Sequence, residues 1–128
     1  MARAETERQR QGNAAEAEAC AHLQRQGLQL VARNVRYPFG EIDLVMLAAT
    51  TVVFVEVRFR KSIAFGGGAV SVDAGKRRKI ALAAQAWLAT NPKHAKAPCR
   101  FDVVAVSPEA DGLRCEWIAA AFTLDDMG

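Results

Sequence analysis

The sequence predicts an α/β fold: one mixed sheet of about five strands flanked by helices, in the order α-β-β-β-α-β-β. Three observations carry this expectation. Residues 13–26 and 73–90 space their apolar side chains as amphipathic helices do. Five short runs elsewhere are rich in Val, Ile, Phe and Trp, the side chains that suit a pleated sheet. Turn or cap residues separate most of these segments.

Residues 1–11 read as a flexible polar tail, and residues 12–128 as a single domain, because a chain of this length usually builds one core. The first helix runs from Asn13, a candidate N-cap, to about Gln26, where Gly27 supplies a stop. Ala19 and Leu23 mark its inward stripe, which meets Glu16 one turn earlier; Glu18, His22 and Arg25 share a polar face. Residues 28–36, 41–48 and 52–59 then read as three strands. The triple glycine in residues 62–70 requires a turning or flexible loop. The second helix follows, capped by Ser71 or Asp73, with Ile80, Ala83, Ala84, Trp87 and Leu88 on its apolar stripe. Asn91 to Pro98 ends it, and residues 100–106 and 113–122 supply the last two strands.

Composition removes several function classes. No apolar run approaches the roughly 20 residues of a membrane span, and the N-terminal residues lack the apolar stretch of a signal peptide, so a cytoplasmic protein is expected. Cys20, Cys99 and Cys115 form no CxxC and no Cys/His spacing, so they read as reduced, mostly buried thiols. Two histidines are too few for a histidine-rich metal site.

Charge is distributed unevenly about a net value of +3. Residues 58–100 carry Arg58, Arg60, Lys61, Lys76, Arg77, Arg78 and Lys79, with three further cations, against the single acid Asp73. Later residues turn acidic. Such a zone suits a polyanion, although a solvated charged face gives the same pattern. Lys76, Arg77 and Lys79 lie in the first turns of the second helix, where the helix dipole disfavours cations and favours phosphate.

The stretch GEIDLVMLAATTVVFVEVRFRK, residues 40–61, places acids in two strand-forming runs. A hairpin turning between Ala49 and Thr50 sets Asp43 opposite Glu56. Strand alternation then puts Glu41, Asp43, Val45 and Leu47 on one face with Val52, Phe54, Glu56 and Arg58. The other face, wholly apolar, must be core. Directly opposed Cβ atoms lie roughly 4.5–5.5 Å apart, and facing like charges need compensation. Mg²⁺ compensates well, since it takes one or two carboxylates together with water and phosphate oxygens. Glu16 is a candidate third acid at the same end of the sheet. A surface charge ladder, in which Arg58 pairs with Glu41 and neutralises Glu56, fits the spacing equally.

The ordered words Gly12, Glu16, Ala19, Leu23, Gly27, ARN, GEIDLV, VFVEVR, Val72 with Lys76, WL, RFDVV and AF resemble the YraN-like family of bacterial proteins. That family is regarded as a relative of the PD-(D/E)XK nucleases, which include Holliday-junction resolvases and restriction enzymes. The resemblance implies a restriction-endonuclease-like, resolvase-like fold. It also implies a Mg²⁺- or Mn²⁺-dependent endonuclease acting on DNA, with branched or structured DNA as a candidate substrate and a homodimer as a candidate assembly. By the same resemblance, Asp43 and Glu56 are catalytic metal ligands, Val57 offers its carbonyl, Glu16 is the helix glutamate, and Lys76 is a recurrent lysine. Arg58 stands where the motif has lysine. Arginine keeps its charge at any ordinary pH, so Arg58 can hold a phosphate but not serve as a base. Arg60, Lys61, Lys76, Arg77 and Lys79 are the candidate nucleic-acid contacts. Two other functions stay open: a non-catalytic nucleic-acid-binding protein on the same fold, and a scaffold with no nucleic-acid role.

Overall fold

Val52 to Val55 and Val103 to Val106 are apolar at every position rather than alternately, the pattern of strands covered on both faces. The computed structural model describes residues 6–60 and 72–122, and in it the two strands that carry these runs pair in parallel inside a five-stranded sheet, Val52–Val55 against Cys99–Asp102 and Glu56–Phe59 against Val103–Val106. The elements are α1 (Glu7–Arg25), β1 (Gln29–Tyr37), β2 (Gly40–Ala48), β3 (Thr51–Phe59), α2 (Ala74–Thr90), a 3₁₀ turn at Pro92–His94, β4 (Cys99–Glu109) and β5 (Gly112–Phe122). The strands lie in chain order, and every pairing is antiparallel except β3 with β4, whose crossover contains α2. The predicted α/β order is therefore borne out.

Each helix buries its stripe on a different face. Ala15, Ala19, Cys20 and Leu23 of α1 pack with Leu44, Met46, Val53, Val55, Val104 and Val106. Ile80, Ala83, Ala84 and Trp87 of α2 pack with Ile42, Val45, Phe54, Phe101 and Val103. The strand face that carries Glu56 is thus core along most of its length, not only the opposite face as the alternation alone implied. Trp87 is buried with its ring edge-on to Phe54 at 6.0 Å between centroids.

The start of α1 differs from the sequence expectation. Residues 7–11, read as tail, are helical. Thr6 and Gln9 form a capping box, with Thr6 Oγ1 accepting from the Gln9 N–H (3.1 Å) and Gln9 Oε1 accepting from the Thr6 N–H (2.9 Å). At the other end Gly27, with φ of 98°, lets the Leu28 N–H donate to the Leu23 carbonyl at 3.1 Å and closes the helix. Of the three thiols, Cys20 is buried, Cys115 is half-buried and Cys99 is exposed, so the expectation of mostly buried thiols fails at Cys99. Lys61 and the triple-glycine loop lie outside the described residues. Among the described residues no helix is long and apolar enough to cross a membrane.

Asp102 is the most deeply buried acid among the described residues. Its carboxylate is fully enclosed and accepts from Arg100 Nε (3.1 Å), Trp117 Nε1 (2.9 Å) and the Ala120 N–H (2.9 Å). A buried carboxylate so completely satisfied holds β4 to the kinked end of β5 and has no free lone pair aimed at a ligand.

Candidate functional site

The β2–β3 hairpin turns at Ala49 and Thr50, with Ala48 opposite Thr51, as the sequence requires. Ala49 has a φ of 53°, a left-handed value that the absence of Gly or Asn had obscured. The register runs from this turn to Leu44 opposite Val55, and there the β2–β3 ladder ends. β2 continues against β1 to Gly40, while β3 continues against β4 to Phe59. Asp43 and Glu56 are the next residues on either side of this fork.

Asp43 fills the fork. Its Oδ2 accepts the Val57 backbone N–H at 2.8 Å, so the carboxylate reaches across to β3 in place of a ladder carbonyl. Burial, and then the charge of Glu56, push the Asp43 carboxyl up to about 7, against the opposing pull of the Val57 N–H and Lys76. Glu56 lies on the α2 side, because its parallel partner Val103 belongs to the α2-side core. Only 5% of its side chain is exposed, and Lys76 Nζ meets its Oε1 at 2.7 Å.

Glu16 approaches from α1. Burial, and then the charge of Asp43, raise its carboxyl above the ordinary value, with Arg33 and Arg36 lowering it in part. The Asn34 amide, oriented with nitrogen toward the carboxylate, donates to Glu16 Oε1 (2.9 Å) and Oε2 (3.2 Å). Asn34 sits inside β1 with a φ of 51°. Val35 and Ala32, three residues apart, both pack on the α2-side core, so strand alternation resets at Asn34. The three acids thus come from three elements: Glu16 from one layer, Asp43 from the sheet, Glu56 toward the other layer.

Lys76 reaches the site because α2 lies unusually close to β2. A Cβ at Gly40 would collide with the Lys79 carbonyl oxygen and stand 2.8 Å from the carbonyl carbon. Asp73 caps α2 through the Lys76 N–H at 2.8 Å, so a carboxylate already occupies one of the helix donors predicted for phosphate. Arg77 turns away from the site: its Nε donates to the Val72 carbonyl at 2.7 Å and its guanidinium lies 5.6 Å from the Phe122 ring centroid. Lys79 and Arg60 are exposed, and Arg58 is half-buried on the same face as Glu56, since its partner Ala105 is on the α2 side. Glu41 lies 3.9 Å from Arg36 rather than from Arg58, so the charge ladder is built otherwise than the spacing allowed.

Among the described residues no group of three or more His, Cys, Asp or Glu side chains stands at metal-holding spacing. Among those residues Asp43 and Glu56 stand as a carboxylate pair. Hard oxygen donors in that number suit Mg²⁺ or Mn²⁺, which complete their shells with water and phosphate, and do not suit a softer metal. The motif word ARN contained Asn34, but sequence reasoning gave it no role; the further signal was an Asn interrupting a strand-forming run. Sequence reasoning also missed that Lys76 belongs to Glu56, 20 residues earlier, for which no sequence signal exists.

The model of Uncharacterised protein family UPF0102 matches residues 15–106, a span that contains Glu16, Asp43, Glu56 and Lys76. A UPF0102 protein of Xanthomonas campestris pv. campestris is 56% identical over 119 residues, covering 93% of this chain and 96% of its own. Another, from Pseudomonas entomophila, is 50% identical over 112 residues, covering 87% of this chain and 91% of its own.

Proposed function

Because the chain belongs to the UPF0102 family, the YraN-like group its motifs resemble, and the family name assigns no activity, we propose from the site itself that it is a divalent-metal-dependent endonuclease hydrolysing DNA phosphodiesters. One observation carries the reading: Asp43 and Glu56 are held together at the fork of β2 and β3, half-buried and buried, at an electrostatic cost that folding alone does not require. Asp43, Glu56 and the Val57 carbonyl would hold Mg²⁺ or Mn²⁺. The ion would supply Lewis acidity toward the phosphodiester and lower the pKa of bound water.

The remaining roles fall to the chain's own groups. Lys76, already bonded to Glu56, sets a cation against that carboxylate and brings positive charge to the site. Arg58, on the Glu56 face, stabilises charge developing on the phosphate. Glu16, oriented by Asn34, is the third acid at the site. Arg60 and Lys79 neutralise flanking phosphates of the DNA.

Purified protein should cut a member of a panel of duplex, single-stranded, flap and four-way DNA with Mg²⁺ or Mn²⁺, and none with EDTA. Asp43→Ala and Glu56→Ala should abolish cutting, and Arg58→Lys should retain or raise it. Cleavage that survives both alanine substitutions refutes the site. Arg58 in place of the motif lysine favours one second reading, a DNA-binding protein on the same fold without efficient chemistry. In that case no substrate is cut, while Lys76→Ala and Lys79→Ala still flatten the dependence of log affinity on log salt.

A further inference from the structure

Beside the carboxylate pair lies a cleft of about 630 Å³ between the β1–β2 turn and the first turns of α2, lined by residues that include Tyr37, Phe39, Glu41, Lys76 and Lys79. Its size is that of a small-molecule site. Phe39 is 44% exposed at the tip of the turn, and its ring stacks on Tyr37 at 5.3 Å and 5° between planes. Tyr37 itself packs against the α2-side core, so the pair forms an aromatic platform fixed from below. Phe39 is not needed for the turn, which Pro38 and the Tyr37–Gly40 pairing already define. Opposite the platform, Lys76 and Lys79 stand three residues apart and therefore on one face of α2. The acids in the cleft are engaged elsewhere: Glu41 faces Arg36 at 3.9 Å, and Asp73 caps the helix.

We propose that this cleft binds one unpaired nucleotide of a DNA strand, its base on the Phe39 ring and its phosphate between Lys76 and Lys79. A paired base hides its face in the stack, so an aromatic platform selects nucleotides that are flipped out, single-stranded or at a branch. Lys76 belongs both to this cleft and to the Glu56 pair, which places the unpaired nucleotide next to the reacting phosphate. The proposal rests on the nucleic-acid reading above and narrows its substrate.

The test is fluorescence binding by the full chain in EDTA, which takes cleavage out of the readout. The probes are a single strand, the matching duplex, and the duplex with one unpaired 2-aminopurine. The unpaired probes should bind more tightly than the duplex, and 2-aminopurine emission should be quenched on binding. Phe39→Ala should weaken binding of the unpaired probes by roughly tenfold to a hundredfold and remove the quenching, while Phe39→Trp retains both. Wild-type protein that binds the three probes equally, with Phe39→Ala unchanged, overturns this inference and leaves the DNA reading standing. Wild-type protein that binds none of them overturns both.

Discussion

Asp43→Asn should make the protein more stable while abolishing the proposed cleavage. In the folded chain the Asp43 carboxyl is pushed from 3.8 up to about 7, chiefly by burial and then by Glu56. A raised carboxyl favours the protonated form, so its penalty on folding is absent below pH 3.8, grows as pH rises, and is complete above about 7. At about 1.4 kcal/mol per pH unit the full penalty is roughly 4 kcal/mol. Asp43 is only half-buried, and solvent screening reduces this to about 1–3 kcal/mol. Asparagine removes the charge and keeps an oxygen to accept the Val57 N–H. In EDTA at pH 8 the variant should therefore melt about 4–12 °C above the parent, and near pH 4 the two should coincide. Mg²⁺ should close the gap at pH 8 by stabilising only the parent. A variant no more stable than the parent at pH 8, with Mg²⁺ shifting both alike, refutes the argument that Asp43 is held at a cost for a cation.

Lys76→Met leaves the buried Glu56 carboxylate without its cation; because Lys76 is partly exposed, the expected loss in urea unfolding is about 1–2 kcal/mol in EDTA and smaller with Mg²⁺. Gly40→Ala forces a Cβ into the Lys79 backbone and should cost about 1–3 kcal/mol of stability, with weakened cation binding by calorimetry as α2 moves outward. Asp102→Ala strands Arg100, Trp117 Nε1 and the Ala120 N–H, and should cost about 3–5 kcal/mol; a parent-like urea midpoint would contradict its structural role.

Much of the sheet was legible because its causes are local. Alternation and turn spacing along residues 40–61 fixed the hairpin, and the observed register, Leu44 opposite Val55 and Ala48 opposite Thr51, is the one that sets Asp43 beside Glu56. The stripe of Ile80, Ala83, Ala84 and Trp87 likewise announced the buried face of α2. The Thr6 and Gln9 capping box was readable too, but the polar residues after it resemble a tail as closely as a helix.

The sequence by itself determined the order of the elements along the chain and the hairpin register that brings Asp43 beside Glu56, because period and parity act between neighbours in the chain. Only the tertiary structure decided what surrounds the acids. The ladder had to end at Leu44 and Val55 before Asp43 could turn into the sheet plane, and Gly40 had to meet Lys79 before Lys76 could reach Glu56. Asn34 finds Glu16 18 residues away, while Arg77 is drawn to Val72 and Phe122 and leaves the basic cluster. These contacts depend on how two helices seat on opposite faces of one sheet, a long-range packing outcome that no local pattern encodes.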